Sequence, residues 1–170
     1  MDQEELLSRL NWFYSLELTQ VDNYLAQSRA VDDPYVATGL ERVASMEKGH
    51  ADKISDLVIG SGGQPTRVGD VLSPILGAAL GKFLGATDVA TMLKTNIKIE
   101  AKAVTDYQKL IRELESDGYD PALLKSLQQN LVDEDLHSSW FAQVINGLPD
   151  RSWPLSPVLA QGDWPEPPLK

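Results

Sequence analysis

The chain has 170 residues, of which 42% are hydrophobic and 24% are charged, with a formal net charge of −10 and no cysteine. These values predict one soluble globular domain with a sizeable core, argue against a nucleic-acid partner, and exclude disulfides, thiol nucleophiles and iron–sulfur ligation. The acidic N-terminus has no signal-peptide pattern, and no apolar run is long enough to span a membrane. We therefore expect a cytoplasmic protein.

Two amphipathic helices are predicted over about residues 4–30 and 35–59, because apolar residues recur there at spacings of three and four. The turn signal VDDP between them makes them antiparallel neighbours. Each apolar stripe also contains polar side chains, whose burial is costly unless they are paired or bind a metal. The first stripe is Leu6, Leu10, Phe13, Glu17, Val21 and Tyr24, and the second is Leu40, Val43, Glu47, His50, Ile54 and Leu57.

A long glycine-rich and apolar connection follows, over about residues 61–87. Pro74 and several glycines argue against one regular helix through this segment. The pattern predicts a crossover that packs along the bundle as a strap. Its apolar character leaves open a second interpretation, in which residues 68–86 make a peripheral contact with a membrane or a hydrophobic substrate.

Two further helices are predicted over about residues 87–116, with Thr87 as the N-cap, and 121–146. Their stripes are Ile97, Glu100, Val104, Tyr107, Ile111 and Leu114, and then Leu127, Leu131, Glu134, His137, Phe141 and Val144. Residues 1–147 should therefore form an all-α, antiparallel four-helix bundle with a long crossover between helices two and three. Residues 148–170, rich in proline and containing two tryptophans, should form an irregular tail packed on the bundle or on a partner.

The four stripes together carry four inward glutamates and two inward histidines. Each histidine follows a glutamate by three residues, so the two side chains share one helix face. Four carboxylates balance two divalent cations, carboxylates can bridge two metals, and oxygen with imidazole suits iron or manganese. We predict a dinuclear, catalytic metal site in which Glu47 and Glu134 bridge, and the terminal ligands are Glu17, Glu100, His50 and His137.

Other polar residues are predicted close to this site. Asp133 is placed to accept a hydrogen bond from the ring N–H of His50 across the bundle, although it could instead be a solvated acid. Tyr14, Tyr24 and Tyr107 lie on or near the inner stripes, either as core residues or as hydrogen-bond donors to bound oxygen.

The sequence resembles the ferritin-like superfamily in the segments that carry these ligands. The stretches SLELTQVDNYL and MEKGHADKISDLV are similar to the first two helices of bacterioferritins, and VDEDLHSSWF is similar to their fourth. The resemblance implies a four-helix bundle with two irons, or two manganese ions, at its centre. Bacterioferritins have a haem-binding methionine after the glutamate of helix two, where this chain has Lys48, so we expect no haem.

The crossover is instead similar to the hydrophobic insertion of the demethoxyubiquinone hydroxylases, which implies a quinone-like substrate at a membrane surface. The predicted bundle also resembles that of rubrerythrins, but the chain lacks their cysteine-ligated module. The ligand pattern is similar to that of manganese catalases, which are typically longer.

The predicted function is therefore a non-haem di-iron or di-manganese oxidoreductase that uses O2 or H2O2. With no flavin or nicotinamide fingerprint, its electrons must come from the substrate or from an external donor. It could hydroxylate a hydrophobic substrate or scavenge peroxide. The alternative function is a ferroxidase that handles iron. A third interpretation is a bundle that binds metal only for stability. We expect a homodimer.

Overall fold

The computed structural model describes residues 1–69 and 88–147, and these ranges contain four α-helices and no strand. Each helix begins and ends within two residues of its predicted limits. Neighbours in the chain pack along each other, the first helix against the second and the third against the fourth, with a smaller contact between the second and the fourth. The predicted antiparallel bundle is confirmed for the described residues. Its helices are α1 (Gln3–Ala30), α2 (Pro34–Gly60), α3 (Val89–Ser116) and α4 (Pro121–Gly147).

Local side-chain chemistry sets the helix ends. Asp2, Asp33 and Asp88 are N-caps whose carboxylates accept hydrogen bonds from backbone N–H groups of the first turn. The prediction of Thr87 as the cap of α3 is wrong by one residue, since Asp88 takes that role. After α3, Gly118 adopts a φ of 73°, a left-handed conformation that glycine reaches without a steric penalty.

Two apolar clusters fill the bundle, one on each side of a central polar layer. The first surrounds Leu10 and Leu110, and the second surrounds Leu40 and Phe141. Their burial is the main favourable term in folding, and it must offset the free-energy cost of desolvating the polar layer between them.

Most of the predicted inward residues are buried, but five apolar ones are only half-buried: Val21, Leu57, Ile97, Val104 and Leu131. In each case an adjacent residue is buried instead, namely Gln20, Val58, Asn96, Ala103 and Asn130. The period of 3.6 residues makes neighbouring positions near the edge of a helix face almost equivalent, so hydrophobicity decides the prediction within such a pair and favours the apolar or the larger apolar member. Three of the five buried neighbours are amides.

The described start of the crossover runs along α1. The backbone N–H of Thr66 donates to Asn11 Oδ1 at 2.7 Å, and that of Val68 donates to Ser15 Oγ at 2.7 Å. These bonds satisfy backbone donors outside regular structure. They fit a strap packed along the bundle, which is one of the two predictions for this segment.

Two predictions fall outside the described residues. The proposed membrane contact lies almost entirely in residues 70–87, and the irregular tail lies in 148–170. Among the helices of the described residues, none is both long and apolar enough to cross a membrane.

Trp140 of α4 packs directly against Gly39 of α2. A Cβ atom there would lie 2.1 Å from Cζ2 of Trp140. We expect Gly39→Ala to lower the free energy of unfolding by about 1–3 kcal/mol, because the indole must move. Gly49→Ala, in the same helix with no atom within 4 Å of the new Cβ, should instead raise it by about 0.5–1 kcal/mol. Urea unfolding of the metal-free proteins measures both, and equal stabilities would contradict the close contact.

Candidate metal centre

The structure brings all six predicted ligand residues together in the polar layer. None of them is more than 3% exposed. Because residues three apart share a helix face, α2 and α4 each deliver a carboxylate and an imidazole to the same layer. The contributors are Glu17 from α1, Glu47 and His50 from α2, Glu100 from α3, and Glu134 and His137 from α4.

The six residues form two overlapping groups of four. One group is Glu17, Glu47, His50 and Glu134, and the other is Glu47, Glu100, Glu134 and His137. Within each group the potential ligand atoms all lie within 4.8 Å of one another. Two sites that share two carboxylates have the arrangement in which those carboxylates can bridge two cations.

Both imidazoles direct Nδ1 toward the shared glutamates. Nδ1 of His50 lies 3.0 Å from Glu47 Oε2 and 3.1 Å from Glu134 Oε1, and Nδ1 of His137 lies 3.2 Å from Glu47 Oε1. The other nitrogen of His50, Nε2, lies 3.1 Å from Asp133 Oδ2. This confirms the hydrogen bond predicted between these two residues, which fixes the orientation of the His50 ring.

Two tyrosines hold the remaining glutamates. The hydroxyl of Tyr24 on α1 donates to Glu100 on α3, and that of Tyr107 on α3 donates to Glu17 on α1. Both tyrosines are fully buried. Tyr14, the third tyrosine predicted near the site, is half-buried and packs against the first apolar cluster instead.

Sequence reasoning missed Gln20, which lies at the centre of the polar layer. Its Nε2 donates to Glu47 Oε1 at 3.2 Å and to Glu100 Oε2 at 3.1 Å. The available signal was its position three residues after Glu17, on the same face of α1. One amide group thereby positions carboxylates from two other helices.

Asn130 was also missed, although it precedes Glu134 by one helical turn. Its Nδ2 donates to the hydroxyl of Tyr107 at 3.1 Å, and its Oδ1 accepts from Lys53 Nζ at 3.2 Å. A chain of hydrogen bonds therefore connects a half-buried lysine, through an amide and a phenol, to the carboxylate of Glu17.

Burial and mutual repulsion oppose ionisation of the glutamates. Burial and the charge of Glu100 raise the pKa of Glu47 well above its usual value, and burial and Glu134 do the same to the pKa of Glu100. The same two effects, burial and the nearby Glu47, raise the pKa of Glu134 to about 8. Burial opposes protonation of His50, but hydrogen bonds that its ring donates, led by the one to Asp133, raise its pKa well above its usual value.

Several atoms of this layer make no aligned hydrogen bond with any described residue. They include Glu17 Oε2, both oxygens of Glu134 and both ring nitrogens of His137. Leaving such buried groups unpaired costs about 1–3 kcal/mol each, and a bound cation would use most of them. Burial lowers the pKa of His137, which favours a neutral ring with a lone pair for a metal. The donor set therefore fits two divalent cations of the iron or manganese type.

The similarity of this chain to known proteins extends over the whole bundle. Residues 7–150 match the Ferritin family, described as a ferritin-like domain. Bacterioferritin from Desulfovibrio desulfuricans, a protein with a diiron site, is similar in structure with a TM-score of 0.72 at 17% identity, over 87% of this chain and 82% of that one.

A dodecameric thioferritin, the bacterioferritin-related protein of Bacteroides fragilis, matches with a TM-score of 0.71 at 22% identity, over 87% of this chain and 88% of that one. No curated protein gives a significant match. At these identities the two structures show a common fold. The family match covers most of the chain, and the chain belongs to the ferritin-like domain family.

Proposed function

We propose that the protein is a ferroxidase that binds two Fe(II) ions as substrates in the polar layer and oxidises them with O2 or H2O2. The observation that carries this proposal is the pair of four-residue groups that share Glu47 and Glu134. A pair of sites with common carboxylates holds two ions close enough to deliver two electrons to one oxidant. The six ligands are those predicted from the sequence.

The reaction balances without any other cofactor. Two Fe(II) ions lose one electron each, and O2 takes up both electrons and two protons to form H2O2. With H2O2 as the oxidant, the same two electrons and two protons give two molecules of water. Because Fe(II) itself is the reductant, the ferroxidase needs no external electron donor.

Residues around the ligands have positioning roles in this proposal. Tyr24 and Tyr107 restrain the terminal carboxylates, and Gln20 links Glu47 to Glu100. The two apolar clusters above and below the layer limit the entry of water. The ligands are thus held close to their binding geometry before iron arrives, which reduces the entropy cost of binding.

The family match and the bacterioferritin-like fold support iron handling better than oxidation of an organic substrate. The hydroxylase prediction rested mainly on the crossover, whose central part lies outside the described residues. Hydroxylation, peroxide scavenging, a purely structural metal and the absence of haem stay predictions, as does the homodimer. One structural relative is dodecameric, and iron storage by this chain would require a closed assembly of that kind.

The direct test is anaerobic loading with Fe(II) followed by O2. We expect two Fe(II) ions to bind per chain, both to be oxidised in one rapid phase, and one H2O2 to form per pair. Absorbance measures the oxidation, and a peroxide assay measures the H2O2. Size-exclusion chromatography with light scattering then separates a storage assembly from a dimer. Binding without oxidation would contradict the ferroxidase, and rapid disproportionation of H2O2 by the manganese-loaded protein would favour a catalase.

Removing a shared carboxylate tests the site itself. Glu134→Ala should reduce bound iron from two ions per chain to one or none, because both groups of four lose a member. Circular dichroism should show the helices retained, since the variant also removes one of four mutually repelling acids. Glu41→Ala, at an exposed position of α2, is the matched control and should keep both ions. Full iron occupancy in Glu134→Ala would rule out the shared role.

Metal removal should make stability depend on pH in a defined direction. The pKa of Glu134 is about 8 in the fold against 4.5 ordinarily, so between these values the folded chain binds more protons than the unfolded one. The free energy of unfolding must then fall as pH rises. The raised pKa of His50 acts in the same direction, and the lowered pKa of His137 opposes it.

We therefore expect urea unfolding in a chelator to show a less stable protein at pH of about 8 than at about 5, with a shallower slope in Glu134→Ala. The metal-loaded protein should show the opposite slope, because its ligands must lose protons to bind. A metal-free protein that gains stability over this range would contradict the clustering of protonated glutamates.

A further inference from the structure

A lysine outside the two metal-binding groups is connected to one half of the polar layer. Lys53 on α2 is half-buried, and its Nζ donates to Oδ1 of Asn130 on α4 at 3.2 Å. Asn130 is fully buried, and its Nδ2 donates to the hydroxyl of Tyr107 at 3.1 Å. That hydroxyl donates to Oε1 of Glu17. Three successive hydrogen bonds thus join an ammonium group to a carboxylate of the candidate metal centre.

The ammonium group of Lys53 fixes the direction of all three bonds. A lysine has donors and no acceptor, so the amide atom of Asn130 that faces it must be the oxygen. The amide nitrogen then faces Tyr107, and because this nitrogen can only donate, the phenol oxygen must accept. The single proton of the phenol is therefore directed to Glu17. Without the ammonium group the amide could turn over, and the phenol could donate to Asn130 instead.

The other half of the layer has apolar residues at the corresponding positions. In α4, Asn130 precedes the glutamate of the Glu-x-x-His motif by four residues, and in α2 the residue four before the glutamate is Val43. Lys53 follows the glutamate of α2 by six residues, and the residue six after the glutamate of α4 is Trp140. Val43 and Trp140 belong to the second apolar cluster. The repeat of the bundle thus carries the lysine and the amide once only.

We propose that Lys53 is a positioning residue for Glu17 and that it acts through Asn130 and Tyr107. By directing the phenol proton to Oε1 of Glu17, it holds that oxygen as an acceptor and turns Oε2 toward the cation. Oε2 lies 3.8 Å from Nδ1 of His50, which belongs to the same group of four, and it makes no aligned hydrogen bond with any described residue. The proposal rests on the proposed function in taking Glu17 as a ligand.

The effect should fall mainly on one of the two cations. Glu17 belongs to the group that contains His50 and not to the group that contains His137. Loss of a residue that orients a metal ligand typically lowers metal affinity by about 10–100-fold, and Lys53 is two hydrogen bonds further from the ligand than Tyr107 is. We therefore expect Lys53→Met to weaken the binding of one cation by about three- to tenfold.

Competition between the full-length protein and a chromophoric chelator for Zn(II) measures both affinities without redox chemistry. Lys53→Arg keeps the charge and the donors and should bind both ions like the parent. Lys48→Met is the matched control, because it removes the same charge from an exposed position of the same helix. It should leave both affinities unchanged.

A double-mutant cycle separates positioning from the direct repulsion between Lys53 and a cation. Tyr107→Phe removes the last donor of the chain, so adding Lys53→Met to it should change the affinities by less than about twofold. Direct repulsion would have the same size with or without the phenol. Asn130→Leu interrupts the chain at a second residue and replaces Tyr107→Phe in the cycle if that variant does not fold.

The hydroxyl proton of Tyr107 reports the direction of the bonds in the metal-free protein. Proton NMR should show it downfield and protected from solvent exchange in the parent and in Lys53→Arg, and shifted upfield in Lys53→Met. The proposal is overturned if Lys53→Met leaves this resonance unchanged, if it leaves both Zn(II) affinities unchanged, or if its effect on them is equally large in Tyr107→Phe.

The positioning role and the ferroxidase can fail separately. If the protein binds no cation, the ferroxidase is wrong, and the hydroxyl resonance still tests the role of Lys53. If two Fe(II) ions are oxidised per chain while Lys53→Met behaves like the parent, the positioning role alone is wrong.

Discussion

The burial of four carboxylates and two imidazoles in one layer is the constraint on which the rest of this structure depends. An apolar core could not tolerate these groups as isolated charges, since desolvation and mutual repulsion both oppose their ionisation. Two apolar clusters supply the burial energy above and below the layer, and hydroxyl and amide donors restrain the carboxylates within it. Two divalent cations would replace the repulsion among the acids by attraction between each acid and a cation.

The two halves of the site repeat the same arrangement of a glutamate and a tyrosine on one helix. Glu17 and Tyr24 are seven residues apart on α1, Glu100 and Tyr107 are seven apart on α3, and each tyrosine donates to the glutamate of the other helix. Seven residues are nearly two helical turns, so each helix presents both groups on one face. The symmetry is broken by single residues. Gln20 donates a hydrogen bond to Glu100 in one half of the site, and Asp133 orients only His50. The two groups of four therefore have different surroundings, although each consists of three glutamates and one histidine.

The sequence alone was enough to predict the bundle, its helix ends and the six clustered side chains. Glutamate and histidine at helical spacing inside apolar stripes are conspicuous, because their burial is costly without a partner. The buried amides were not predicted, since Gln20 and Asn130 adjoin apolar residues and neutral amides are common on helix surfaces. Their roles depend on contacts between helices, which periodicity within one helix does not reveal. The partner of His50 could be predicted because Asp133 adjoins a predicted ligand. That His137 makes no hydrogen bond with any described residue is visible only in three dimensions.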